Sequence, residues 1–359
     1  MRGIRFIMQY IDELYEKAAC NQRINIDEGL YLYNNADFLM LAFLAEKRRY
    51  EHNPEKIITY VIDRNINYTN ICVSGCKFCA FHEKPGSDIG YVIEEKALFE
   101  KIEETLLLNG TQILLQGGMN PDLNLDYYTD LLRTIKDKFD IHIHGFSPTE
   151  IDFIAGIAGL TIGETIRILK EAGLDSIPGG GAEILSDGIR KKISPDKCMS
   201  KSWLNVMEHA HKLGMRTTGT MMFGHVEKPV HIFRHLDKLR NLQDKTEGFT
   251  AFIPWTFQPG NTRLKLEKAS AAEYLKVLAL SRIYLDNFDN IQASWVTQGD
   301  KIAQTALFFG ANDMGSTMIE ENVVASAGVD FMLPEKELKR LISEAGFEPK
   351  QRDCYYNLI

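Results

Sequence analysis

The run Asn65-Ile66-Asn67-Tyr68-Thr69-Asn70-Ile71-Cys72-Val73-Ser74-Gly75-Cys76-Lys77-Phe78-Cys79-Ala80-Phe81 decides how the rest of the chain is read. It holds three of the six cysteines, spaced C-x3-C-x2-C, directly after an apolar, β-like run at 57–62. Thiols this close in sequence can converge on one metal centre, because a short loop brings their sulfurs within bonding reach. Four-iron clusters usually take four cysteines. Three local ones, Cys72, Cys76 and Cys79, leave one iron without a protein thiolate, and an open metal position marks a reactive site. The competing reading is a zinc-binding structural module, its fourth ligand drawn from Cys198, Cys354 or a histidine.

Outward from this loop, the chain alternates between short β-rich runs and amphipathic helices. Strands are expected at 57–62, 111–116, 141–144, 174–177, 216–222, 250–255, 291–295 and 312–314. Helices are expected near 94–109, 124–138, 161–172, 200–213, 229–243, 270–286, 299–309 and 335–345. Eight strand–helix units in succession predict an α/β fold, a (β/α)8 TIM-type barrel. Residues 1–53 read as an N-terminal helical extension, with Asp37 near a helix start, and residues 54–359 as the barrel with its C-terminal helical segment. A chain of 359 residues can be one such barrel.

The net charge of −8 argues against a general nucleic-acid or anionic-membrane binder. No apolar run reaches transmembrane length, and no signal-peptide core precedes the first helix. Six cysteines in so long a chain do not resemble a disulfide framework, so a reducing cytoplasm is the expected setting.

The unusual residues cluster just after the strands, where a βα barrel opens its active site. Gln116-Gly117-Gly118 permits close backbone approach. His144 and Ser147 point by register toward the barrel mouth, although a lone histidine is more often structural. Gly179-Gly180-Gly181 precedes Glu183, whose bland alternative is an ion pair with Arg190 or Lys191. His225 ends an apolar strand and can accept a proton near neutral pH. Phe78, between two thiols, either covers the metal centre or fills a core gap. Trp255, Phe257 and Trp295 offer walls for an aromatic substrate, with core packing as the alternative. Gln258, Gln298, Asn312, Asp313, Thr317 and Glu320 offer hydrogen bonds with little net charge, which suits a polyhydroxylated substrate.

The cysteine spacing, with an aromatic residue before the last thiol, resembles the radical S-adenosylmethionine (SAM) superfamily. The resemblance implies a [4Fe-4S] cluster whose open iron is chelated by SAM. It also implies reductive cleavage to methionine and a 5′-deoxyadenosyl radical, and an electron donor such as a flavodoxin or ferredoxin. Phe78, Gln116, Gly117, Gly118, His144, Ser147 and Glu183 are then the expected cofactor-binding residues. Relatives often carry Gly-Gly-Glu where this chain has Gly117-Gly118-Met119, so the acid's role must pass to backbone carbonyls or another loop.

Asp63-Arg64-Asn65-Ile66-Asn67-Tyr68-Thr69-Asn70 resembles one branch of that superfamily, which holds the cyclic dehypoxanthinyl futalosine synthases, aminofutalosine synthases and deazaflavin precursor synthases. The more selective stretches resemble the first of these, of the futalosine route to menaquinone. They are Gln292-Ala293-Ser294-Trp295-Val296-Thr297-Gln298-Gly299, Gly315-Ser316-Thr317-Met318-Ile319-Glu320-Glu321-Asn322-Val323-Val324 and Gln351-Arg352-Asp353. Gly219 departs from the alanine common there. The resemblance implies a nucleoside-like aromatic substrate whose sugar C4′ hydrogen is abstracted. The carbon radical then closes a spiro ring on the carboxyphenyl group, and loss of an electron and a proton, the proton to a base such as His225 or Glu320, restores the aromatic ring.

Overall fold

The computed structural model describes residues 2–329 and 332–359; the side chains of residues 2–8 also lie outside the described residues. Ten parallel strands carry the fold: β1 (Ile57–Val61), β2 (Asp63–Asn67), β3 (Gln112–Gln116), β4 (His142–Gly145), β5 (Ser176–Ile177), β6 (Arg216–Phe223), β7 (Phe249–Thr256), β8 (Asn290–Ile291), β9 (Asp313–Ser316) and β10 (Glu348–Gln351). Strands β2 to β8 form one curled sheet in chain order, and β1 lies between β9 and β10 in a second.

Because β1 and β2 are one run interrupted only at Ile62, they join the two sheets. Thr317 N donates to Val61 O at 2.9 Å and Ile319 N to Asp63 O at 3.2 Å, so the chain after β9 follows this run upward. At the other edge, Asn312 N donates to Ile291 O at 3.1 Å and Ala293 N to Asp313 O at 2.8 Å. The sheet therefore closes through eight strand positions, with β10 as an extra strand beside the lower half of β1.

Side-chain alternation along the strands separates two chemistries. On β3, Ile113 and Leu115 are fully buried toward the helices, whereas Gln112, Leu114 and Gln116 face the barrel interior. On β2, Asp63, Asn65 and Asn67 face inward, and Arg64 points outward to Glu104. All five β2 residues are buried. Their polarity disguised them as loop in the sequence; hydrogen bonds across the barrel are what make the burial tolerable.

Helices Glu95–Leu107, Leu125–Lys138, Ile162–Ala172, Ser200–Lys212, Pro229–Thr246, Ala271–Tyr284, Asp300–Ala306 and Glu335–Glu344 occupy the expected places. Two others, Pro148–Ala158 and Asp187–Ile193, were not anticipated. The first starts with a capping box between Ser147 and Glu150 and a proline in its first turn, a start signal inside what reads as loop. The expected strand at 291–295 ends at Ile291, and Trp295 instead opens the short helix Trp295–Gln298. There the indole Nε1 donates to Ser316 O at 2.8 Å, tying that turn to β9.

The N-terminal helices Arg2–Ala19, Ile26–Asn35 and Phe38–His52 lie on the outside of the barrel. Asp37 caps the third, accepting from Leu39 N and Met40 N. Arg23 bonds Asp244 and Asp286, and the Phe38 ring meets Phe309 at 4.9 Å. Among the described residues, no helix is long and apolar enough to cross a membrane.

Candidate active site at the barrel mouth

Cys72, Cys76 and Cys79 line one cavity of about 250 Å³ above the C-terminal ends of β2, β3 and β4. Backbone amides are aimed at the first thiol: Met119 N reaches Cys72 Sγ at 3.3 Å and Ser74 N at 3.4 Å. The Ser74 hydroxyl lies 3.1 Å from Cys76 Sγ. Burial pushes the Cys72 and Cys76 thiols up, so an apolar setting keeps them protonated until a metal takes the proton's place. The Arg263 guanidinium, donating to Gly75 O and Cys76 O, pins the loop from the β7 side.

Among the described residues, the only three histidine, cysteine or acidic side chains with ligand atoms within 4.8 Å of one another are His142, His144 and Cys354. The three loop thiols share one cavity without all lying within that distance of one another. The donor set is the soft one an iron–sulfur cluster takes.

Beside the thiols lies a backbone cradle. A Cβ on Gly118 would sit 2.1 Å from Ile71 O, so only glycine allows this strand end to press on the cysteine loop. Gly181 holds φ +74 and closes the β5 turn against Thr149. Gln116, Gly117, Gly118, Ser147 and Glu183 line the cavity, as does Phe78. Glu183 accepts from Lys197 Nζ at 2.7 Å rather than pairing with Arg190 or Lys191. That ammonium stands 5.1 Å over the Phe78 ring. Arg190 is spent on the carbonyls of Gly181, Ala182 and Cys198.

Sequence reasoning missed Glu150. Its Oε1 accepts from Tyr68 Oη at 2.7 Å and Gly117 N at 2.9 Å. Its Oε2 accepts from Ser147 N at 2.8 Å and Ser147 Oγ at 2.6 Å. With Met119 in the Gly-Gly-Glu position, this is the carboxylate that stands behind the cradle. The signal that could have found it is Ser147-x-x-Glu150, a capping-box spacing.

A second cavity, of about 300 Å³, lies deeper in the barrel. Gln116, Gly180, Gly181, Glu183, Trp255, Val323 and Val324 line both, so the two are continuous. Trp255 and Trp295 wall the second cavity and Phe257 the first. His144 faces the second cavity, away from the thiols. Its Nδ1 lies 2.6 Å from Ser176 Oγ, which is also 2.6 Å from His142 Nε2 and 3.3 Å from Cys354 Sγ. Burial, then His142 and Arg352, pull the His144 pKa down to about 3, so its ring is neutral.

The two expected proton acceptors lie outside both cavities. The His225 side chain is fully buried, with Nε2 3.1 Å from Met222 O and Nδ1 3.0 Å from Glu227 Oε2. Gly224, at φ +79, turns it off the strand's inward register. Glu320 Oε2 is 3.5 Å from Arg64 and is held by Lys101 on the outer side of β2. Its neighbour Glu321 lines the second cavity instead, accepting from Asn65 Nδ2 at 3.1 Å and Val324 N at 2.8 Å. Burial pushes the Glu321 carboxyl up. Asn312 and Asp313 are spent on Arg282, Asn290, Thr59 and Arg352. Gln258 and Gln298 both bond the Thr256 hydroxyl, and Thr317 Oγ1 is buried away from either cavity.

Known proteins resemble this chain. The radical SAM superfamily model matches residues 66–239, and that of the CofH/MqnC C-terminal region matches 246–359. Cyclic dehypoxanthine futalosine synthase of Halalkalibacterium halodurans is 45% identical over 97% of this chain and 95% of its own. The protein of that name from Streptomyces coelicolor is 42% identical, over 96% and 88%. The 5-amino-6-(D-ribitylamino)uracil–L-tyrosine 4-hydroxyphenyl transferase of Methanocaldococcus jannaschii is 40% identical, over 94% and 98%. Among solved structures, the FeFe-hydrogenase maturase HydG from Carboxydothermus hydrogenoformans superposes with a TM-score of 0.77 at 19% identity, covering 98% of this chain and 82% of its own, a likeness of fold alone. A [4Fe-4S] cluster and SAM are thus the cofactors of this site, and the chain belongs to the radical SAM superfamily, in the group that includes the cyclic dehypoxanthine futalosine synthases.

Proposed function

We propose that this enzyme cyclises dehypoxanthine futalosine to cyclic dehypoxanthine futalosine. The observation that carries the reading is the continuity of the two cavities: a thiol-lined chamber opens directly onto one walled by tryptophans and floored by polar groups. The resemblance of nearly the whole chain to two synthases of that name supports it.

When bound, the cluster and SAM supply a 5′-deoxyadenosyl radical. The chain's own part is positional. Cys72, Cys76 and Cys79 hold the cluster; Gln116, Gly117, Gly118, Ser147 and Glu183, backed by Glu150, shape the SAM cradle. Trp255 and Trp295 face the substrate's aromatic ring and keep water from the reacting carbon. Glu321, whose carboxyl burial raises above the usual range, takes the ring proton as the ring also gives up one electron. In this reading Glu321 replaces His225 and Glu320, whose side chains are committed elsewhere.

Reduced, anaerobic enzyme incubated with SAM should convert dehypoxanthine futalosine to a product two mass units lighter. Coupling of tyrosine to a ribityl-diaminouracil, or consumption of an enolpyruvyl benzoate, would overturn the reading. Glu321→Gln should slow cyclic product roughly a hundredfold, in the range set by a lost general base, while 5′-deoxyadenosine still forms.

A further inference from the structure

Two residues that line the second cavity each carry a buried polar atom with no hydrogen-bond partner: Tyr356 Oη and Gln112 Oε1. Neither orientation is free to relax. Gln112 Nε2 donates to Asp63 Oδ2 at 2.8 Å, which fixes the amide and leaves its oxygen without a donor. The Tyr356 ring lies under the Arg352 guanidinium at 3.9 Å. That guanidinium is itself held by Asp313, at 2.5 and 3.2 Å, and by Asp353 O at 3.0 Å. Tyr356 also adopts φ +66, a costly conformation for a bulky side chain and one that collects at ligand sites.

We propose that this part of the lining is a hydroxyl-binding socket, in which Tyr356 and Gln112 take hydroxyl groups of the substrate's sugar rather than its carboxylate. The inference rests on the cyclase reading for the identity of the sugar. Its argument is donor–acceptor matching. Gln112 Oε1 needs a donor, and Tyr356 Oη needs a partner for its own proton. A carboxylate only accepts and leaves Gln112 unmet; an ammonium only donates and leaves the phenol proton unmet. A hydroxyl, or two neighbouring ones, serves both. Charge agrees: the cavity lining carries Asp63, Glu183 and Glu321 against Arg352 alone, and Asp313 already pairs with that arginine, a poor seat for an anion.

The test uses anaerobic, SAM-loaded holoenzyme without reductant, so that binding is read without turnover. Calorimetry would compare dehypoxanthine futalosine, analogues lacking one sugar hydroxyl each, and the analogue whose benzoate is a carboxamide. Tyr356→Phe should weaken the parent about tenfold, the effect of one buried hydrogen bond. It should weaken the carboxamide analogue equally, and leave one deoxy analogue unchanged. Gln112→Met should show the same pattern and carries the comparison if Tyr356→Phe fails to fold. Unchanged binding of the parent by both variants would mean that water alone fills the socket. Loss of the effect with the carboxamide would mean that the socket holds the carboxylate. Either result overturns the proposal while wild-type cyclisation leaves the cyclase reading intact. If product analysis instead shows ribityl-diaminouracil as the substrate, the same series is run on its ribityl hydroxyls. Turnover of a substrate with no hydroxyl ends both.

Discussion

Glu150 receives hydrogen bonds from Tyr68, Gly117 and both the amide and the hydroxyl of Ser147. Burial pushes its carboxyl up, and those four donors work against the rise. Glutamine in its place would turn an NH2 toward two of these donors, at about 1–3 kcal/mol for the buried bonds left unmade. Glu150→Gln should therefore lower the melting temperature and weaken SAM binding about tenfold, measured by equilibrium dialysis, with iron content unchanged. Alanine at Cys72, Cys76 or Cys79 should do the opposite: abolish iron, sulfide and the visible absorbance, with the barrel's far-ultraviolet spectrum retained. Cys20→Ala, at an exposed position remote from the loop, should leave iron untouched. That the three thiols would meet was legible because their spacing is local, and they do line one cavity. Glu320 and Glu321 were not separable in the sequence, since the loop after β9 has no period from which to tell which carboxylate turns inward. Tyr356 and Gln112 were hidden for another reason: they meet only through the tertiary fold.

At the scale of elements, the strands that alternate apolar and polar residues could be read directly, and β3, β4, β6 and β7 lie where expected. β2 escaped notice because burial in a barrel mouth depends on partners, not on hydrophobicity. β10 and the tail behind it escaped for a similar reason, being fastened by charge. The Arg352–Asp313 pair joins that tail to β9, with Arg352 5% exposed and Asp313 fully buried. Breaking such a pair strands the remaining charge, at about 3–5 kcal/mol. Arg352→Met should show this loss in urea unfolding, and Asp313→Asn combined with it should recover part of it, because no lone carboxylate is then left.

For the whole molecule, three interior histidines set a limit in acid. Burial holds His144 and His235 down to about 3 and His211 to about 4, with neighbouring cations adding to each. His235 Nδ1 accepts from Leu185 N at 2.9 Å, a bond that protonation would break. An unfolded chain protonates all three near pH 6.5, so below that pH it binds protons the native state refuses. Stability thus falls as pH drops, by about 1.4 kcal/mol per unit for each histidine until its folded pKa is reached. Melting temperatures between pH 7 and 5 should trace this slope, and His235→Asn, which keeps an acceptor for Leu185, should make it shallower.

The run from Ile57 to Asn67, interrupted only at Ile62, touches the tail at its lower end and leads straight into the cysteine loop at its upper end. At about 3.3 Å per residue it is a stiff ruler of about 35 Å laid along the reaction axis. Adding one residue to it would reverse which side chains look inward; adding two would stretch the gap between radical source and socket by about 7 Å. A scaffold of this kind must tailor itself to a longer or shorter guest by exchanging side chains, because its measuring stick cannot be lengthened by small steps.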